Sequence, residues 1–259
     1  SALRVNSHEA RTQALSDLQQ AHQLAPNNER LRYELTLTLE QAGQTQAACE
    51  HLGHLESQAP QNTEYPLLHI RLQRRLGQLP TALALCQAWT TRQARHSGAW
   101  VQQASAHLAL KQNTEAQACV QRALDLQQDN AEALNLRGIL GRDNGLPTAQ
   151  AQADFEQAHA LEPHNPYFLS NIAITLDELG QLAQARAWWQ RLLSLPTPDA
   201  GHPGDVLLLQ ARGAEQLDYT AKQSQLLQLA TERMPDDFEA WLQYGHSCTS
   251  LGQDLQARD

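Results

Sequence analysis

The sequence predicts an all-α fold, a solenoid of tandem helix pairs. Three observations carry that prediction: a 34-residue period, small residues at two fixed positions of the period, and apolar spacing near 3.6 throughout. Asn28, Asn62 and Asn130 each precede a helical pattern, separated by 34 and by twice 34 residues. With Glu29 as position 1, the blocks run 29–62, 63–96, 97–130, 131–165 (one residue longer), 166–199 and, after a four-residue insertion, 204–237. Partial blocks lead (1–28) and trail (238–259), so residues 1–259 are expected to form a single solenoid.

Each block reads as two amphipathic helices joined by a short turn. Position 8, on the first helix, is small or apolar (Ile70, Ala104, Gly138, Ala173, Ala211, Gly245), as a close helix crossing requires. Position 20, on the second helix, is mostly alanine (Ala48, Ala82, Ala116, Ala151, Ala185, and Ala257 in the trailing block) and is expected to face that crossing. Position 24 is bulky or apolar, from Leu52 through Phe155 and Trp189 to Leu227. Position 15 is often glycine (Gly43, Gly77, Gly180, Gly252), where a helix ends in a left-handed residue, and a proline near position 32 blocks continuation into the next helix. Two blocks depart from the pattern: 63–96 has Pro66 at position 4 and Ala94 at position 32, and 97–130 has Lys111 at position 15 and Gln128 at position 32. Trp89, Trp100, Trp189 and Trp241 are expected in the core, whereas Trp188 points about 100° away from Trp189 and fills a seam between repeats or lies exposed. The Pro196–Gly204 segment, with three prolines and two glycines, is expected to form a longer turn.

These features resemble the tetratricopeptide repeat family over essentially the whole chain. The segments 131–138 and 151–163 carry the match best, followed by 168–180 and 185–189. The resemblance implies a right-handed superhelix whose first helices line a concave groove at positions 2, 5, 6, 9, 12 and 13. It therefore implies a noncatalytic scaffold holding a peptide or protein partner there. Related bacterial repeats fused to glycosyltransferase or sulfotransferase domains suggest a recruiting arm of a larger enzyme as the alternative, and an assembly factor for pili, secretion or envelope polymers is a third reading.

On those positions, block 29–62 places Arg30, Tyr33 and Glu34, and block 63–96 places Arg71, Arg74 and Arg75. Three guanidiniums within five residues repel one another unless anions answer them, so they are either an anchor for an acidic partner or are neutralised by Glu34, Glu40 and Glu64. Gln102, Asn135, Arg142 and Asn171 occupy further groove positions, where amides can both donate to and accept from an extended backbone or can serve as ordinary solvated polarity.

Composition narrows the partners. The net charge is −9, and it is uneven: residues 1–96 carry 9 basic and 8 acidic side chains, whereas residues 97–259 carry 10 and 20. Such a surface opposes nucleic-acid binding, and no apolar run approaches the length of a membrane helix. The expected partner is a protein or peptide, with no nucleic acid and no direct membrane insertion. Four widely spaced cysteines (Cys49, Cys86, Cys119, Cys248) read as small core residues. Cys49, His51 and His54 are the tightest metal-type cluster, but offsets of two and five do not gather three ligands on one helix face, so neither metal nor cofactor is expected. No nucleophile elbow or phosphate loop is present, and catalysis is not expected. Nothing distinguishes a cytoplasmic from a periplasmic home. The partial end blocks lead to the expectation of a piece of a longer repeat protein that associates end to end.

Overall fold

The computed structural model describes residues 2–143, 148–197, 204–235 and 237–250, and among these all regular structure is helical. The chain divides into two compact units, 1–128 and 129–259. The first unit holds α1 (Ala2–Leu24), α2 (Glu29–Gln41), α3 (Thr45–Gln58), α4 (Glu64–Arg75), α5 (Leu79–Arg92), α6 (Ser97–Ala109) and α7 (Asn113–Leu126). The second holds α8 (Ala131–Asp143), α9 (Thr148–Leu161), α10 (Pro166–Glu178), α11 (Leu182–Ser194), α12 (Asp205–Gln216), α13 (Thr220–Arg233) and α14 (Phe238–Ser250). Within each unit every helix packs on the next, the arrangement of an all-α solenoid built from helix pairs.

The period has a backbone cause at the ends of most first helices. At the start, an acceptor side chain caps the free N–H groups: Asn28 takes Leu31 N–H at 3.0 Å, Asn130 takes Ala133 N–H at 2.9 Å, and Asn165 takes Tyr167 N–H at 3.1 Å. His96 and Asp237 do the same for Ala99 and Ala240. At the end, a left-handed residue closes the helix. Gly43, Gly77 and Gly180 have φ between 71° and 76°, and in each case the next residue's N–H bonds back five residues to a helix carbonyl, as Gln44 does to Leu39 at 2.9 Å. Lys111 and Asp218 adopt the same conformation at φ 58° and 62°, so the departure at Lys111 changes the residue and leaves the turn intact.

Packing follows from the small positions. Ile70, Ala104, Ala173 and Ala211 are at most 1% exposed, and the position-20 alanines from Ala48 to Ala185 are at most 2%. Gly138 shows why bulk is excluded: a Cβ there would lie 2.6 Å from the ring of Phe155, itself fully buried. Around these crossings, Leu52 and Leu55 fill the first unit and Trp189 and Ile172 the second. Each such side chain contributes about 1.5–3 kcal/mol by leaving water. All four cysteines are free and buried, and burial pushes the thiols of Cys86 and Cys119 up to about 12 and about 11.

The tryptophans divide. Trp89 and Trp189 are core, but Trp241 is 47% exposed, which corrects the expectation for it; its indole N–H bonds to the Pro235 carbonyl, and no later helix is described to cover it. Trp100, half-buried, bonds to the Ala94 carbonyl in the same way. Trp188 sits in a seam, edge-on to His159 of α9 at 4.9 Å, with the Arg191 guanidinium 4.6 Å from its centroid. Most of the Pro196–Gly204 turn, together with Gly252 and Ala257, lies outside the described residues.

Candidate functional site

In the first unit, α2 and α4 bring one set of the expected site residues together. Arg71 and Arg75 lie one turn apart on α4, and both reach Glu40 of α2: Arg71 Nη2 donates at 3.2 Å and Arg75 Nη1 at 3.4 Å. Arg75 also donates to the Thr45 hydroxyl at 3.1 Å. Glu40 is mostly covered, with its side chain 16% exposed, whereas the Arg71 and Arg75 side chains are 62% and 50% exposed. One shielded carboxylate thus holds two guanidiniums side by side with further donors turned to solvent. The pairs are open to water and contribute at most about 1 kcal/mol each to folding.

Tyr33 borders this pair. Its ring packs against Tyr65 at 5.2 Å, and Tyr65 donates its hydroxyl to Glu29 at 2.7 Å. Burial raises the Tyr33 hydroxyl pKa, Glu64 adds to the rise, and Arg71 opposes it, which places all of them in one electrostatic neighbourhood. Burial together with the bond to Glu29 pushes Tyr65 up to about 12. Arg30 and Glu34 are exposed on α2, and Arg74 is exposed on α4 and acts electrostatically on Cys86 of α5. Gln102 lies half-buried on α6, apart from these contacts.

The second unit joins two of its three expected residues. Asn171 of α10 donates its amide to the Asn135 Oδ1 of α8 at 2.7 Å. Each amide thereby keeps one complementary group, the Asn171 oxygen and the Asn135 nitrogen. Arg142 takes a different course, its guanidinium lying 5.9 Å above the Phe155 ring.

Buried polar networks hold the frame behind these surfaces. Glu56 of α3 accepts from His69 Nδ1 at 2.8 Å and from Arg92 Nη2 at 2.9 Å, and Gln73 approaches the other nitrogen of His69. Burial alone would raise the Glu56 pKa, but the bonds from His69 and Arg92 outweigh it and hold the carboxyl below its ordinary value. In the second unit Arg137 grips Asp154 through two bonds at 2.7 and 2.9 Å. His51 packs edge-on to His22 of α1 at 5.2 Å. Among the described residues no three His, Cys, Asp or Glu side chains gather as a metal site, and no helix is long and apolar enough to cross a membrane.

Two family models of the tetratricopeptide repeat match the sequence, over residues 97–130 and 148–200. No curated protein matches it. Solved structures of like fold are numerous. A tetratricopeptide repeat protein of Parabacteroides merdae is 15% identical, with a TM-score of 0.68 over 95% of both chains. A thermophilic repeat protein of Thermus thermophilus is 24% identical, with a TM-score of 0.60 over 73% of this chain and 98% of that one. The APC/C hetero-tetramer Cut9–Hcn1 gives 12% identity and a TM-score of 0.62, covering 98% of this chain but 50% of the other. The helix-pair solenoid and its solvent-facing polar residues define the class, a repeat scaffold of the kind used for protein interaction. Residues 97–130 and 148–200 match the tetratricopeptide repeat, and the chain as a whole shares the fold of proteins built from that repeat.

Proposed function

We propose that this chain is a noncatalytic scaffold that holds an extended, acidic segment of a protein partner against α2 and α4. The observation that carries the reading is the pair Arg71 and Arg75, aligned by the shielded Glu40 and exposed beside Tyr33. A guanidinium already fixed by one bond loses less freedom on meeting a carboxylate, so the pair is prepared for an anion. Tyr33 offers a rigid ring for the apolar side chain that accompanies it. The nearby carboxylates Glu34 and Glu64 set a counter-pattern that favours alternating over uniform acidity in the partner. In the second unit, the linked amides of Asn171 and Asn135 suit an extended backbone. One solved structure of like fold is of the Cut9–Hcn1 hetero-tetramer, an assembly of the type proposed.

The test is fluorescence anisotropy with a labelled twelve-residue peptide alternating Glu with Leu, against the same peptide with Lys for Glu. The acidic peptide should bind, weaken steeply with salt, and lose about tenfold in affinity, about 1.4 kcal/mol, when Arg71 and Arg75 are both changed to Ala. Equal binding of the basic peptide, or an unchanged affinity in the double variant, would reject the site.

A further inference from the structure

In the first unit the turn that joins α5 to α6 borders an open cleft of about 420 Å³, lined by Gln61, Arg92, Gln93, Ala94, Arg95 and His96. Among the described residues no carboxylate lines it, although the whole chain carries 28 acidic side chains against 19 basic ones. Hydrogen bonds brace its walls. The Gln93 amide donates to the Pro60 carbonyl at 2.9 Å, which ties the end of α5 to the turn bearing Gln61, while the Trp100 indole and the His96 backbone N–H donate to the Ala94 and Gln93 carbonyls, both at 2.9 Å. Arg92 donates from Nη2 to Glu56 at 2.9 Å, and its side chain stays 35% exposed, so one bond fixes the guanidinium while its other donors take no partner among the described residues. Arg95 is exposed and pairs with no carboxylate among the described residues. His96 adds a third donor by elimination. Its Nδ1 accepts the Ala99 N–H at 3.2 Å, so the neutral ring carries its proton on Nε2, and packing against Trp89 at 5.2 Å holds the ring in place.

We propose that this cleft binds a phosphate monoester, its oxygens taken by Arg92 and Arg95 and its remaining valences by His96 and the Gln61 amide. A monoester presents three terminal oxygens and close to two negative charges, which three donor side chains match better than they match the two oxygens of a carboxylate. Arginine's planar fork grips two such oxygens at once. Glu56 answers Arg92 and is shared with His69, so the charge of Arg95 is left for the ligand. The cleft is larger than a phosphate group, which leaves room for the carbon chain that carries it, whether that of a small phosphorylated compound or of a phosphorylated side chain. The site is separate from Arg71 and Arg75 and does not rest on the acidic segment proposed for them.

Nuclear magnetic resonance titration of the isotopically labelled 259-residue chain tests this, at ionic strength held constant with sodium chloride. The probes are inorganic phosphate, O-phosphoserine, and a short Gly–Ser peptide with and without one phosphoserine. Every phosphate-bearing probe should give saturable shifts at Gln61, Arg92, Arg95 and His96, and the unphosphorylated peptide should give none. Phosphoserine binding as tightly as the phosphopeptide assigns the cleft to small phosphorylated compounds, whereas a phosphopeptide tighter by about tenfold assigns it to a phosphorylated segment. Arg95→Ala should weaken binding by about tenfold or more with the rest of the spectrum unchanged, because the residue is exposed. His96→Asn removes the ring donor and keeps an acceptor for the cap, as Asn28, Asn130 and Asn165 show, and it should weaken binding as well. Changing Arg71 and Arg75 together to Ala should leave these shifts intact, so this site and the acidic-segment site fail independently. No saturable shift at the cleft up to about 20 mM phosphate probe, equal binding of the unphosphorylated peptide, or an affinity unchanged in Arg95→Ala overturns the proposal.

Discussion

Changing Gly138 and Gly245 to alanine puts the same substitution at the same position of two repeats, and the structure assigns them opposite signs. At Gly138 the new methyl would sit 2.6, 2.8 and 2.9 Å from three ring carbons of Phe155, where carbon atoms rest at about 3.5–4.0 Å. Phe155 is 0% exposed, so the ring has nowhere to retreat without moving its neighbours. Overpacking of this kind costs about 1–3 kcal/mol, and the gain in helix propensity on replacing glycine returns about 1 kcal/mol. The net is a loss of about 0–2 kcal/mol. At Gly245 the methyl meets nothing within 4 Å among the described residues, and the propensity gain of about 0.5–1 kcal/mol stands alone. Thermal melts followed by circular dichroism at a few micromolar should therefore separate the two variants, with about 4 °C for each kcal/mol. Adding Phe155→Leu to Gly138→Ala should recover part of the loss, because the clash and the replaced ring are the same contact. If both alanines stabilise equally, the helices do not cross at position 8 as described, and the packing argument fails.

Three further outcomes follow from the same geometry. Replacing Lys111 or Asp218 by glycine should raise stability by about 0.5–1 kcal/mol each, since both sit at positive φ where a side chain is strained; a loss in denaturant melts would contradict this. Burial, with Arg32 nearby, lowers the pKa of both His22 and His51 below 6.5, so the unfolded chain takes up protons first. Stability should fall as pH drops below about 6.5 toward the lowered values, and His22→Gln with His51→Gln should flatten that slope in melts between about pH 7.5 and 5. Tyr65, raised from 10.0 to about 12, works at the other limit: stability should be lost as pH rises above 10, when the unfolded phenol ionises first, and Tyr65→Phe should remove that loss.

What could be read from the chain alone was what depends on neighbours in sequence. The capping asparagines, the glycines at positive φ and the small residues at positions 8 and 20 each act within a helix or its turn, so their spacing exposes the repeat directly. Lys111 hid its turn because residue type speaks only to preference, while the return bond from Gln112 N–H to the His107 carbonyl, five residues back, holds the backbone there regardless. Trp241 misled because a shared register position does not fix burial: its indole N–H reaches the Pro235 carbonyl while the residue stays 47% exposed. Glu56, His69 and Arg92 come from three successive helices, so nothing local announced their network. At the candidate site the arginines were visible as a cluster, and Glu40 had been named among three carboxylates able to neutralise them. That it alone takes Arg71 and Arg75 among the described ion pairs of that cluster follows from the register between α2 and α4, which no single helix encodes.

The proposal that α2 and α4 receive an acidic segment is tested most directly by mapping where such a segment sits. Backbone and arginine side-chain resonances of the isotopically labelled chain can be followed by nuclear magnetic resonance during titration with the alternating Glu–Leu peptide. The account predicts saturable shifts concentrated at Tyr33, Arg71 and Arg75, including the guanidinium N–H groups, and their disappearance when Arg71, Arg74 and Arg75 are changed together to Glu while the remaining spectrum stays folded. Shifts centred on other helices, or an undiminished response in that variant, would contradict it.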